Sequence, residues 1–429
     1  MAEGDNGQAA PEFVELGASG LDHSGGYVNE EQLRQLKGTK AAKAFDEMAE
    51  NDAIIGAFLY ALETLVLSVK WRDEPFSQDP DDVAVAEFVK SCREDMATTW
   101  HDVVCEALSF VVHGWSCLET IYKLREGPKN AEKSKRSRYS DGLVGWAKLA
   151  ARAQSSLQRW NLTDLGEVLG WYQWPPNMGR EIYLPAEKIL LFRTTSRKNN
   201  PEGRSLLRRA FVSYQYKKRI EGYEAIGIER DLAGLPVFEV PSKIMSPDAT
   251  AAEKAVFEAC KKIVRNIRVD DQGGIVACSD VGPTGEKLYA LKLLSTGSTR
   301  AFDTDKVVQR HDRRMAMSVL ADFILLGHEQ VGSYSLSSDK TSIFAMSVGS
   351  ILNRITSVFN LDAIPRLIEL NGWDPARSPK LKHGDLEKPD IDRFAAAVAQ
   401  LTGSGNLTPG SEEDEKFFRS MLNMPMGED

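Results

Sequence analysis

The chain has 429 residues, 42% of them hydrophobic and 27% charged, enough apolar material for two to four packed units and too much for wholesale disorder. A formal net charge of -9 argues against a protein that coats nucleic acid by neutralising phosphates, yet it leaves room for one that lets DNA slide past. Five scattered cysteines (Cys92, Cys105, Cys117, Cys260 and Cys278), with no C-x-x-C pair, speak against a disulfide framework or a zinc ribbon and fit a reducing compartment.

Residues 1–39 are rich in Gly, Ala and acids and read as an extended arm without a secretory leader pattern. From Lys40, apolar residues recur at three- and four-residue spacing (Phe45, Met48, Ile55, Phe58, Leu62, Val66 and Val69), which predicts one helix ending near Trp71. Helices are expected over 83–95 and 98–112, the second stopped by His113-Gly114, with a strand over 116–124. The basic stretch 127–141 reads as a solvated loop, and four alternating runs (157–160, 170–174, 182–184 and 189–192) read as strands. The longest helix expected is 205–233, stopped by Gly234-Leu-Pro236; Gly222 and Gly227 within it cost about 1 kcal/mol each unless close packing uses them.

A small α/β module follows: a strand at 237–240, a helix opening near Pro247-Asp248, and strand-like runs at 274–278 and 288–294 around the turn Gly282-Pro-Thr-Gly285. Helical character resumes over 300–326. A Gly- and Ser-rich loop covers 327–338, another helix covers 340–361 with a break at Pro365, and the tail from Trp373 carries two further helices near 391–401 and 412–422. The uncharged run 341–352 is only about a dozen residues long, and a helix needs roughly 20 to cross a bilayer, so a soluble protein is expected.

Residue patterns that carry chemistry are weak. Gly282-Pro-Thr-Gly-Glu-Lys287 lacks the Lys directly after its second Gly and any following Ser or Thr, so a hairpin turn accounts for it better than a phosphate loop. His101 and Cys105 share a helix face, but Cys92, Cys105 and Cys117 lie in apolar patterns where thiols behave as small hydrophobes. Paired carboxylates (Glu229 with Asp231, Asp303 with Asp305) sit where solvated helix faces are expected. No catalytic residue, metal site or cofactor is assigned.

Taken in order, several segments resemble one family. Asn51-Asp-Ala-Ile-Ile-Gly, with Val69-Lys-Trp71, resembles an early helix ending in tryptophan. Leu108 to Tyr122, with His113-Gly-Trp-Ser116 and Glu119, resembles the family's segment of apolar helix, Gly, small residue and Glu, and Leu184-Pro-Ala-Glu-Lys-Ile189 resembles the strand before the stalk. Most specific is Asn200-Pro-Glu-Gly-Arg-Ser-Leu-Leu-Arg208, followed by Lys217-Lys218, Glu229-Arg230 and Gly234-Leu-Pro236. Leu325-Leu-Gly-His-Glu-Gln330 departs from the Leu-Gly-Gln pattern of the branch, and the C-terminal region is short. Together, across about residues 40–425, these are similar to bacteriophage portal proteins of the Mu-like branch.

That resemblance implies a mainly helical α+β portal fold with a wing, a two-helix stem, a small α/β clip and a short helical crown. It divides the chain into an N-terminal arm (1–39), wing (40–203), first stem helix (204–236), clip (237–298), second stem helix (299–330), tunnel loop and wing helix (331–372), and crown with C-terminal tail (373–429). It implies a non-enzymatic ring, a dodecamer, at one capsid vertex of the virion, assembled in the host cytoplasm. Double-stranded DNA would pass through it, and terminase, the major capsid protein and head-completion or adaptor proteins would be partners, with no membrane involved. The alternatives are another structural connector or adaptor of the virion, or a DNA-processing enzyme, which would need a metal-binding carboxylate cluster or a phosphate loop.

The residues add reasons of their own. The first long helix is basic at its start and acidic at its end, so an antiparallel partner helix is expected to bring opposite charges together within or between copies. Lys217, Lys218, Arg219, Arg310, Arg313 and Arg314 are the candidate stem or channel charges, set against the plain reading as solvated helix faces. Gly332, Ser333, Tyr334 and Ser335 are the candidate tunnel-loop residues, set against a surface linker.

Overall fold

The computed structural model describes residues 17–130, 132, 136–233, 235–266, 285, 290–294, 303–319 and 334–384. They fall into two units, one formed by Met1–Arg208 with Val319–Asp429 and the other by Arg209–Ser318. Mixed helices and sheets build the first unit, in keeping with the α+β class.

Residues 17–37, expected as an extended arm, are instead fastened to the first unit. Strands β1 (His23–Ser24) and β2 (Tyr27–Val28) form a tight hairpin whose Gly26 carbonyl accepts from Trp160 N–H at 2.8 Å. Leu21 and Leu36 are buried on either side of the hairpin.

The helix expected through Trp71 is two helices, α1 (Thr39–Asn51) and α2 (Ala53–Leu67). Asp52 divides them: its backbone is extended, and its buried carboxylate accepts from Ile54 and Ile55 N–H at 3.0 Å each. Satisfying two orphan donors makes it the N-cap of the second helix. Periodicity carries on across Asp52, which is why it hides the break. The chain then becomes β3 (Trp71–Glu74), paired antiparallel with a strand from some 300 residues later, introduced below.

Helix α3 (Pro80–Glu94) opens on a proline followed by Asp81 and Asp82, as helix starts favour. Helix α4 (Trp100–His113) opens on a capping box, in which Thr99 Oγ1 accepts from Asp102 N–H and Asp102 accepts from Thr99 N–H, both at 3.1 Å. It closes on Gly114 in the left-handed conformation (φ 95°), where the sequence places the stop.

Strand β4 (Trp115–Leu124) is the middle of a three-stranded antiparallel sheet, flanked by β5 (Val144–Arg152) and, across the chain, by β9 (Ile189–Arg193). Between them β6 (Leu157–Leu162), β7 (Val168–Gln173) and β8 (Ile182–Pro185) form an antiparallel meander. Trp115, Trp160 and Trp171, all below 5% exposed, lock the two sheets together with ring centroids 5.0 to 6.2 Å apart. Edge-on and tilted aromatic packing of this kind adds about 1 kcal/mol per pair beyond the area it buries.

In the second unit lie α5 (Phe211–Ala233), β10 (Leu235–Glu239), α6 (Ala251–Asn266), β11 (Ala290–Leu294) and α7 (Thr304–Ser318). β10 and β11 pair antiparallel with α6 packed near them, a small α/β module between two helices as expected. Helix α6 begins after Thr250, whose N–H and hydroxyl both donate to Glu253; these bonds, with Lys243, hold the Glu253 carboxyl down at about 2. The strand-like run 274–278 lies outside the described residues.

The first unit resumes with α8 (Tyr334–Val358), a π-helical turn Phe359–Ala363, and α9 (Ile364–Leu370). Pro365, expected as a break, sits in the first turn of α9, where its missing N–H costs nothing. The wider π turn before it lets one helix run directly into the next. Strand β12 (Lys380–His383) then pairs with β3, from Trp71 opposite His383 to Glu74 opposite Lys380. The two tail helices expected beyond it lie outside the described residues.

Candidate functional site

Two places carry the residues singled out by sequence. The first is a junction in the first unit, built around 194–208. Gly114 at the end of α4 and Gly203 (φ 55°) meet backbone to backbone, and a side chain on Gly203 would be driven into the Gly114 carbonyl. Thr194, just past β9, joins the pieces: its N–H donates to Gly114 O at 3.0 Å, and its hydroxyl donates to Arg204 O at 2.6 Å while accepting from Arg204 N–H at 2.9 Å. Ser205 donates its hydroxyl to Val112 O and accepts from Leu207 N–H. The stretch Asn200–Arg208 is therefore a knot that ties helix α4, strand β9 and the chain leading to residue 208 into one hydrogen-bonded corner.

Around that corner lies a cavity of about 710 Å³. Glu202 reaches inward and accepts from the Trp160 indole N–H at 3.2 Å; burial pushes its carboxyl up to about 6. His113 faces Asp46 at 3.2 Å, and burial outweighs that neighbour, so its imidazole is held below the usual range. The N-terminal segment closes one side. Glu31 grips Arg208 through both guanidinium nitrogens at 2.6 and 2.8 Å, and Glu30 holds Lys198 at 3.0 Å. Sequence reading singled out the 200–208 motif but attached no cause to it, because its partners Gly114 and Glu31 are far away along the chain.

The second place is the helix pair α5–α7. Glu224 accepts from the Thr304 hydroxyl at 2.5 Å, Lys217 meets Asp312 at 2.7 Å, and Tyr216 stacks on His311 with centroids 5.8 Å apart. Partner numbers fall on one helix as they rise on the other, so the pair is antiparallel. The expected apposition, the acidic end of α5 beside the basic stretch of α7, does not form: the acidic end lies beside the start of α7, and the arginines lie beside the basic start of α5, where Asp312 meets Lys217. The same register sets Arg310 level with Lys218 and Arg314 level with Tyr214. Lys217 is buried in the pair and engaged with Asp312, whereas Lys218, Arg219, Arg310, Arg313 and Arg314 are all exposed, gathered at one level. His311 is buried, and burial followed by the neighbouring arginines lowers its pKa.

Of the candidate tunnel-loop residues, Gly332 and Ser333 lie outside the described residues, while Tyr334 and Ser335 form the first turn of α8, so the helix begins earlier than expected. Among the described residues, no three His, Cys, Asp or Glu side chains gather as a metal site, and no helix is long and apolar enough to cross a membrane.

A family model described as the portal protein of Mu bacteriophage matches residues 42–424. Among solved structures, the chain is similar to one in the neck of an empty gene transfer agent particle computed with C6 symmetry, at TM-score 0.50 and 11% identity, covering 89% of this chain and 94% of that one. A chain in the virion of the native gene transfer agent particle matches with the same coverage and identity at TM-score 0.49.

Proposed function

Because the chain belongs to the portal protein family of Mu-type bacteriophages, it is a phage portal, a head–tail connector and structural protein of the virion, and we propose that it acts without catalysis, as a ring of identical copies around an open axis through which double-stranded DNA enters and leaves the capsid. In this reading residues 40–203, with 331–372, form the wing. α5 and α7 form the stem, and the β10–α6–β11 module is the clip that docks terminase during packaging and head-completion proteins afterwards. The ring is a dodecamer, seated at the capsid vertex against the major capsid protein and assembled in the host cytoplasm. Residues 373–429 belong to crown and tail.

One observation carries the ring. Away from the Lys217 and Glu224 contacts with α7, Val212, Tyr223 and Ile226 share one face of helix α5 and are 48%, 71% and 45% exposed. An exposed apolar stripe on a helix is a surface that packs against something else. Gly222 flanks this stripe, and among the described residues nothing lies within 4 Å of where its side chain would be. A mid-helix glycine costs about 1 kcal/mol and is retained where another backbone comes close. A neighbouring copy supplies that second surface, and head-to-tail contacts of this kind close into rings.

The exposed cations Lys218, Arg219, Arg310, Arg313 and Arg314 recur in every copy within about one helical turn of the stem, and in this reading they face the channel through which DNA passes. Lys217 is a stem residue that holds α5 to α7 through Asp312. The segment around Gly332, Ser333, Tyr334 and Ser335 is the tunnel-loop region of this reading. Light scattering and negative-stain images of the purified protein test it: a closed dodecameric ring with a central hole is expected, and a protein that stays monomeric at micromolar concentration and with scaffold present overturns it.

A further inference from the structure

On the outer side of α3, in the first unit, an open groove of about 810 Å³ runs between that helix, the segment 139–143 before β5, and Trp373 after α9. Its floor is aromatic. Phe88 and Trp373 meet edge-on at 4.9 Å, and Tyr139 lies 4.0 Å over the guanidinium of Arg125. Arg125 is 2% exposed, donates to Ser91 and pairs with Asp141 at 2.9 Å, so its charge is consumed beneath the groove. The rim is acidic: Asp81, Glu87 and Glu94, all exposed on α3, line it. Lys90 is the cation among them.

Asp81 has a structural reason to be acidic, in the first turn of a helix. Glu94 has the opposite. It occupies the last turn of α3, where the helix dipole disfavours a carboxylate, and it adds to the forces that raise the pKa of the nearby Asp73. Among the described residues no ion pair or hydrogen bond engages the carboxylate of Glu87 or Glu94. Negative charge is thus kept, at a cost, above a floor in which Phe88 is buried and Tyr139 and Trp373 stay partly exposed.

We propose that this groove is a docking surface for a lysine- and arginine-bearing segment of a partner protein, whose apolar residues settle on the exposed parts of Tyr139 and Trp373 while its cations meet Glu87 and Glu94. Charge complementarity sets the sign of the partner. Because the groove lies in the first unit, it is separate from the helix pair and from the reading of α5 as a ring contact.

Fluorescence anisotropy with the full chain tests this, using a labelled peptide of alternating lysine and leucine pairs and same-length lysine–serine and glutamate–leucine controls. The lysine–leucine peptide is expected to bind at least tenfold more tightly than either control. Glu87→Gln with Glu94→Gln is expected to weaken it tenfold or more, as is Trp373→Ala, while the remote Glu106→Gln leaves it unchanged. Glu94→Gln also reports on folding by itself, since its melting temperature should hold or rise. Equal binding of the glutamate–leucine peptide, or undiminished affinity in the double glutamine variant, overturns the proposal. Equal binding of lysine–serine overturns the role of the floor. Binding to monomer but not to assembled ring places a second copy in the groove and overturns the partner assignment.

Discussion

The two units use their charges in opposite ways. In the first, ionic groups are sealed inside: Arg93 with Asp73, Lys123 with Asp95 at 2.8 Å, and Arg125 with Asp141, each with at least one side chain below 10% exposed. In the second, one buried pair, Lys217 with Asp312, joins the helices, and the other candidate cations stay at the surface. A sealed pair ties distant segments into one geometry, whereas an exposed cation contributes little to its own fold. On this contrast the charges of the first unit serve its rigidity, and most candidate cations of the second unit stay at its surface.

Substitutions test the contrast from its strongest side downward, read as shifts in urea unfolding midpoint at fixed protein concentration. Lys123→Met leaves the buried Asp95 without its cation, though Ser137 and Arg138 still donate to it; a loss of about 3 kcal/mol is expected. Gly203→Ala puts a side chain into the Gly114 carbonyl at a positive φ, and about 2–3 kcal/mol should be lost. A loss under 1 kcal/mol in either would show that the first unit is not over-determined there.

Glu202 runs the other way. Its folded carboxyl titrates at about 6, above the ordinary 4.5, so above pH 6 the buried charge is a penalty, relieved as pH falls from 6 towards 4.5. Glu202→Gln should therefore gain up to about 2 kcal/mol at pH 7 and flatten the rise in stability that the parent shows between pH 7 and 5. An unchanged pH profile would mean that the carboxyl is not desolvated. In the second unit Lys217→Met should lose about 1 kcal/mol through Asp312. Arg313→Gln should stay within about 0.5 kcal/mol while altering DNA passage or packaging; a large loss of stability there would erase the difference between the units.

Much of the local structure could be read directly. The His113-Gly114 stop, the strands of the meander and the helices on either side of the α/β module depend on neighbours within a few turns or on apolar period, whereas the antiparallel pairing of α5 with α7 joins residues as far apart as Glu224 and Thr304 and shows only in the fold. The division at Asp52 was hidden because the apolar stripe continues through it, and only the carboxylate's bonds to Ile54 and Ile55 reveal the cap. The Arg125 groove was illegible for a different reason: Phe88, Tyr139 and Trp373 meet from three distant parts of the chain.

By itself the sequence determined the class and most of the helices and strands, since apolar spacing and turn residues act over short stretches and survive in any environment, and its ordered motifs carried the resemblance to the family. Only tertiary structure decided that residues 17–37 are strapped down by Glu31 and Arg208, that Lys380–His383 completes a sheet with Trp71–Glu74, and that Lys217 is a structural cation while its neighbour Lys218 is exposed. Each of those outcomes turns on a partner brought close by folding, and the strength of a charge or a backbone donor is set by what stands opposite it and by how much water is left between them.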